Sequence, residues 1–234
     1  MKTSHAVTLA VGMVLAALIF GLFFYGARHA ENTVSVRGAA TERFQSDMVK
    51  WRVTLSQVAG LNDMKSGYRR LSRDITLLKS LLASAGIDSA NVSIQPISSY
   101  SNYDRDGQIT GNTLQQAVFV ITSDIDAIDD LALNPEELIE KGVVLQSSRL
   151  EYFYSGLAEI KTELLAAATE DARRRAEKIV ENSGVAIGKV TALRAGVFQI
   201  REPFSTEISD YGMHNTQTRE KDITVTVHAS FAID

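Results

Sequence analysis

Residues 157–183 read LAEIKTELLAAATEDARRRAEKIVENS, and Gly184 follows. Leu157, Ile160, Leu164, Ala168, Ala172, Ala176, Ile179 and Val180 recur every three or four positions. That spacing sets them on one stripe of a 3.6-residue helix. Glu163, Glu170, Arg173, Arg174, Glu177, Lys178 and Glu181 fall on the other face. Glu170 with Arg174, and Asp171 with Arg175, are acid-first pairs four residues apart, each contributing ~0.3 kcal/mol. Gly184 supplies a left-handed stop. At positions 168, 172 and 176 the stripe narrows to alanine. Small side chains there let another backbone approach closely, and a sheet is the expected partner.

The 234 residues suit one large or two small domains. Hydrophobic residues make up 45% of the chain, enough for a packed core. Lys plus Arg number 24 against 28 Asp plus Glu, a net charge of -4, so no basic footprint for nucleic acid is expected. The absence of cysteine excludes disulfides, thiol nucleophiles and thiolate metal sites.

Residues 6–27 carry no charged side chain. As a helix they would span ~33 Å, against ~30 Å of bilayer hydrocarbon. A cleaved signal peptide has a shorter apolar run, about 7–15 residues, and small residues at the cut. Cutting after Ala30 would place Arg28 three residues back, and cutting after Ala27 would place Tyr25 there. Neither suits a signal peptidase site. An uncleaved signal anchor is therefore expected, with the amino terminus inside and the remainder exported. A buried core helix would show a polar face, and this stretch has none. The expected division is residues 1–32 as anchor and linker, and 33–234 as one α+β domain.

Along that domain, a short strand is expected over 33–37, ended by Gly38-Ala39-Ala40. Residues 48–58 alternate, with Val49, Trp51, Val53 and Leu55 on one side, as a half-buried antiparallel strand does. A helix is expected over 63–85 from Met64, Tyr68, Leu71, Ile75, Leu78, Leu82 and Ala85, with Asn62 as its cap. Strands follow over 91–100, with Pro96 marking an edge or bulge, and over 114–122, with a polar loop over 101–113 between them. Two short helices over 125–133 and 135–141 precede a strand over 143–154. After the long helix come a strand over 189–200 bulged at Gly196, a polar excursion over 202–221, and a last alternating strand over 223–233. Antiparallel strand pairs packed on two long helices, behind an N-terminal transmembrane or signal-anchor helix, give an α+β class.

Several of these residues, taken in order, resemble a known family. They are Val34-Ser35-Val36-Arg37-Gly38; Asp47 opening an alternating strand; the Ala168, Ala172, Ala176 stripe; Gly184-x-x-x-Gly188-Lys189-Val190; and the alternating last strand. Together they are similar to the SIMPL domain family of bacterial envelope proteins, the YggE-like group. LEYFYSGL at 150–157, GVFQI at 196–200, EISDYG at 207–212 and VHASF at 227–231 point to a subgroup. Ala40 stands where the family often has a second glycine, and Ser46 where it usually has proline. The resemblance implies an exported α+β domain that tends to assemble into ring-like or multimeric particles, with some members linked to oxidative-stress defence. Joined to the anchor expected over 6–27, it gives a single-pass protein of the bacterial inner membrane with its C-terminal domain in the periplasm or otherwise extracytoplasmic. It implies no catalytic residues.

The residue inventory agrees with a non-enzymatic role. His5, His29, His214 and His228 do not stand at metal-ligand spacing. Asp124, Asp126, Asp129 and Asp130, with Glu136 and Glu137, lack an accompanying nucleophile or oxyanion donor and read as helix-start acids. Asn102-Tyr-Asp104-Arg-Asp106-Gly107-Gln-Ile109 resembles the start of an EF-hand loop. Asn102, Asp104 and Asp106 are thus the candidate calcium ligands. Thr113 occupies the twelfth position, where a glutamate is needed, and a strand–turn–strand hairpin has the same composition. The sequence therefore supports a non-catalytic anchored protein without cofactor. Its expected partners are the membrane, through residues 6–27, and further copies of itself. The alternative is an envelope module that binds a small ligand or metal.

Overall fold

The N-terminal apolar run forms α1, Lys2–Arg28, in a computed structural model that describes residues 2–28 and 32–233. His29 and the rest of the link at 29–31 lie outside the described residues. Within α1, Val7–Phe24 is long and apolar enough to cross a membrane. The remainder of the described chain is mixed α+β, with two five-stranded sheets and, counting α1, five α-helices among the described residues.

The chain divides into two compact units, residues 1–40, 163–197 and 225–234 in the first, and 41–162 with 198–224 in the second. The second unit is built on β2 (Met48–Gly60), which pairs antiparallel with β5 (Ile109–Thr122) on one side and β6 (Leu145–Phe153) on the other. β3 (Val92–Ile94) and β4 (Ser98–Tyr103) pair with the other edge of β5. The alternation along β2 buries Val49, Trp51, Val53 and Leu55 completely or nearly so. Each such side chain contributes about 1.5–3 kcal/mol when withdrawn from water. They form one cluster with Leu71, Ile75, Leu78 and Leu82 of α2 (Met64–Ser84).

Helix α2 starts after Asp63, not Asn62, and Asp63 accepts from Arg70 Nη1 at 3.2 Å. Its buried face is turned slightly from the expected seam. Gly67 and Asp74 are inside while Tyr68 is exposed. A Cβ on Gly67 would lie 2.6 Å from the Ala59 Cβ, so glycine is what lets this helix lie down on β2. Buried Asp74 is satisfied by Gln57 Nε2 at 2.6 Å and Arg73 Nη2 at 3.3 Å.

In the first unit, α5 (Leu157–Val180) supplies the alanine stripe, and Ala168, Ala172 and Ala176 are fully buried. Ala172 and Ala176 pack with Ala229 and Phe231 of β10 (Glu220–Ile233) and with Val34 and Val36 of β1 (Thr33–Gln45). Ile179, expected on the stripe, is instead 61% exposed. Asp171 pairs with Arg175 at 2.7 Å, and Arg174 turns to Asp171 at 3.7 Å, not to Glu170. Gly184 has φ +74, the left-handed conformation expected after the helix.

β1 does not stop at Gly38 but runs on to Gln45. A glycine inside a strand normally weakens it. Here a Cβ on Gly38 would fall 2.1 Å from the Ala168 carbonyl oxygen and 2.3 Å from the Ala172 nitrogen. The strand's backbone therefore rests directly on the helix's backbone, and glycine is required for that approach. The Ala39 amide donates to Asp171 Oδ2 at 2.9 Å, which holds that carboxyl below its ordinary range.

Three other expected elements also differ. Pro96 splits the 91–100 strand into β3 and β4. The 101–113 loop is mostly strand, because Thr and Asn side chains pair across β4 and β5 while the backbone ladder continues. The 189–200 strand becomes β7 (Ile187–Ala195) and β8 (Gln199–Arg201), interrupted after Ala195, where the Gly196 amide bonds the Thr226 carbonyl at 2.8 Å. β10 lies between β1 and, on its other side, β7 and β8, and β8 pairs parallel with β9 (Met213–His214).

Candidate functional site

The predicted calcium ligands lie at the β4–β5 hairpin. Asp104 Oδ1 accepts from the Asp106 amide at 2.9 Å and the Gln108 amide at 2.8 Å. Asn102 Oδ1 accepts from Thr113 Oγ1 at 3.0 Å. The two Asp104 bonds are the side-chain-to-backbone bonds of an Asx turn, and the Asn102 bond joins two side chains across the β4–β5 ladder. Gly107, at φ +76, closes that turn. Among the described residues, no group of three or more His, Asp or Glu side chains is placed to hold a metal ion. Replacing Asp104 by alanine should remove about 1 kcal/mol and lower the melting temperature by ~2–4 °C. Calcium should leave wild type and the Asp104→Ala, Asp106→Ala double variant melting where they did before. A calcium-dependent rise confined to wild type would reinstate the metal loop.

The acidic run over 124–130 divides in two. Asp124 caps α3 (Ile125–Leu133), accepting from the Ala127 amide at 3.4 Å. Asp126 and Asp129 meet Arg219, at 2.8 and 3.5 Å. Asp129 also accepts from the Tyr152 hydroxyl at 2.8 Å. Burial first, and that bond second, push the Tyr152 phenol up to about 12.

Beside this group stands a residue that sequence reading missed. Lys221 is 2% exposed, and its Nζ donates to the backbone carbonyl of Tyr152. Burial pulls its amine down to about 8. The missed signal was parity. Lys221 is in step with Ile223, Val225 and Val227, the inward series of β10. Reading it as the end of a polar loop hid that step. His214 is lowered by burial and then by the charges of Lys221 and Lys161.

The excursion over 202–219 carries a second unexpected feature. Phe204, Ile208 and Tyr211 are 87%, 78% and 97% exposed. Phe204 has φ +65, a conformation rarely adopted by a bulky side chain. It is held there from one side by Arg43, whose guanidinium stacks 4.7 Å from the ring centroid. Arg43 is fixed in turn by a bidentate pair with Asp222, at 2.7 and 3.0 Å. That pair holds the Asp222 carboxyl below its ordinary range, and the Phe204 amide adds to the effect.

Asp47 has a clear structural task. It accepts from the Ser155 amide at 2.8 Å and from the Ser155 hydroxyl, tying the start of β2 to the turn that leads into α5. No nucleophile–base pair emerges among these groups, and Arg219 Nε beside Asp126 and Asp129 is buried without a hydrogen-bond partner.

A search of curated proteins returned no match. A family model, SIMPL, described as a protein of unknown function (DUF541), matches residues 34–231. The match runs from Val34 on β1 to Phe231 on β10 and includes Gly38, Asp47 and the α5 alanines, the positions that fix the geometry described above. The chain therefore belongs to the SIMPL family.

Proposed function

We propose that this protein is a non-catalytic scaffold, anchored by α1 with its α+β part outside the cytoplasm, and that it works by assembling with further copies of itself. The observation that carries the reading is the presentation of Phe204, Ile208 and Tyr211. Large apolar side chains this exposed, on one short excursion, mark an interaction surface. Aromatic residues on a fixed backbone are typical binding anchors, because little freedom is lost when they dock. Phe204 meets that condition, since the Arg43–Asp222 pair fixes it before any partner arrives. The free outer edge of β7, which pairs only with β10 among the described strands, offers a second surface of the same kind. Any link to oxidative-stress defence would run through assembly, because the chain has no cysteine to carry thiol chemistry.

Full-length protein in detergent, measured by size exclusion with light scattering, should run as a multimer. The triple variant Phe204→Ala, Ile208→Ala, Tyr211→Ala should assemble at least about tenfold more weakly, since such anchors contribute 1–2 kcal/mol each or more. Its melting temperature should change little, because Ile208 and Tyr211 face solvent and the loss at Phe204 is one exposed guanidinium–ring contact, about 0.5–1 kcal/mol. A monomeric wild type, or a variant that assembles as wild type does, would sink the scaffold reading.

A further inference from the structure

β1, β10 and β7 together line an open groove of about 630 Å³ in the first unit. Its walls include Ser35 and Arg37 from β1, His228 and Ser230 from β10, and Leu193 and Arg194 from β7. The register places Arg37, His228 and Arg194 in one line. His228 stands directly opposite Arg194. On the other side of β10, Ser35 Oγ meets Ser230 Oγ at 2.8 Å and Thr41 Oγ1 meets Thr224 Oγ1 at 2.8 Å. Six residues separate each pair on both strands, so the ladder is antiparallel and even, and Arg37 falls opposite His228. Arg37, His228 and Arg194 thus form a cross-strand row, with Ser35 and Ser230 forming the next row in the same groove.

Arg37 and Arg194 flank β10 in that row, about two strand spacings (~10 Å) apart, where two guanidinium charges repel each other. A solvated edge strand often carries scattered cations, which accounts for one arginine but not for a row in register. Neither acid type occurs in 33–40, 187–195 or 225–233, although the whole chain has more acids than bases. Among the described residues, neither Arg37 nor Arg194 has a carboxylate partner. The two guanidinium forks, with an imidazole between them and two hydroxyls alongside, make a donor set without an acceptor of matching charge. Guanidinium groups bind phosphate oxygens in a bidentate way.

We propose that this groove binds a phosphate group, held between Arg37 and Arg194 with His228, Ser35 and Ser230 as further donors. Two sources share that chemistry, a soluble phosphoester and the headgroup of an anionic phospholipid. Arg37 stands nine positions after Arg28 at the end of α1, a reach of at most ~32 Å when extended. The lipid source rests on α1 being a membrane anchor, and the soluble source does not.

The test uses the full chain in two settings. In detergent, inorganic phosphate is titrated against chloride at equal ionic strength, and melting is followed. In nanodiscs, hydrogen exchange of β1 and β7 is compared between phosphatidylglycerol and phosphatidylcholine. The Arg37→Gln, Arg194→Gln variant is run beside wild type, and Arg194→Lys keeps the charge while removing the fork. Removing the two guanidinium charges should leave the glutamine variant at least as stable as wild type without anion. A phosphate-specific rise in wild type, weakened at least about tenfold in apparent affinity in the glutamine variant and less in the lysine variant, assigns the soluble source. Protection that appears only with phosphatidylglycerol, and disappears in the glutamine variant, assigns the headgroup. Equal responses in wild type and both variants, or no response in either setting, overturn the proposal. Failure of the nanodisc arm alone counts against the lipid source and leaves the assembly reading untouched.

Discussion

Replacing Gly38 by alanine is expected to cost about 3 kcal/mol, near the upper end of what overpacking a closed site does. The added methyl would sit 2.1 Å from the Ala168 carbonyl oxygen, 2.3 Å from the Ala172 nitrogen and 2.8 Å from the Ala172 Cα. All three are backbone atoms, so no rotamer change can make room. Either β1 lifts off α5 or the helix moves. Lifting the strand also breaks the bond from the Ala39 amide to Asp171, at 2.9 Å. In a chain of this size 3 kcal/mol corresponds to a fall in melting temperature of ~6–12 °C. Gly60→Ala is the matched control. It too lies in a strand, but a Cβ there meets nothing within 4 Å. Its effect should stay within about 0.5 kcal/mol, as for a substitution away from packed features. Thermal melts of the two variants beside wild type decide the matter. Equal melting of Gly38→Ala and wild type would mean that the strand and helix are not in backbone contact.

Gly38 also shows what can and cannot be read along one chain. The alanine stripe of α5 announces a close neighbour, because removing side chains has few other uses at 168, 172 and 176. The neighbour itself is 130 or more positions away, and its glycine, taken locally, looks like a strand end. The information is shared between two distant stretches, and only their contact gives it meaning. Elements fixed by their own periodicity were legible, as with β2, α2 and the alternating part of β10. Elements stopped or continued by a tertiary partner were not, as with β1 through Gly38 and the break after Ala195. The polar loop expected over 101–113 failed for a related reason. Strand residues facing solvent here are as polar as loop residues, and only the β4–β5 ladder separates the two. Of the candidate surfaces, the excursion was legible as a segment, while the exposure of Phe204 and Tyr211 depends on a three-dimensional environment. Lys221 was legible by parity, yet its burial under Tyr152 depends on a strand 69 positions earlier.

Lys221 and Tyr152 should give the stability of this protein a peak near pH 10. The Lys221 amine titrates near 8 in the folded protein, because burial disfavours its charged form. In the unfolded chain a lysine titrates near ~10.4. Between those values the unfolded chain holds more protons, so stability rises with pH, by up to about 3 kcal/mol over the window. The Tyr152 phenol behaves in the opposite sense. It is pushed up to about 12 by burial and by its bond to Asp129, against ~10 when unfolded. Between about 10 and 12 the folded state keeps a proton that the unfolded chain has lost, so stability falls as pH rises. Lys221→Met should abolish the rising limb between pH 8 and 10 and leave the falling one. It also removes the donor to the Tyr152 carbonyl, a pH-independent cost of about 1–3 kcal/mol. Tyr152→Phe should do the reverse, flattening the fall above pH 10 and keeping the rise below it. Denaturant midpoints at half-unit steps from pH 7 to 11.5 test both variants against wild type. A wild-type curve that is level from 8 to 10, or a rise that survives Lys221→Met unchanged, would mean that the amine is solvated and that β10 does not carry it inward.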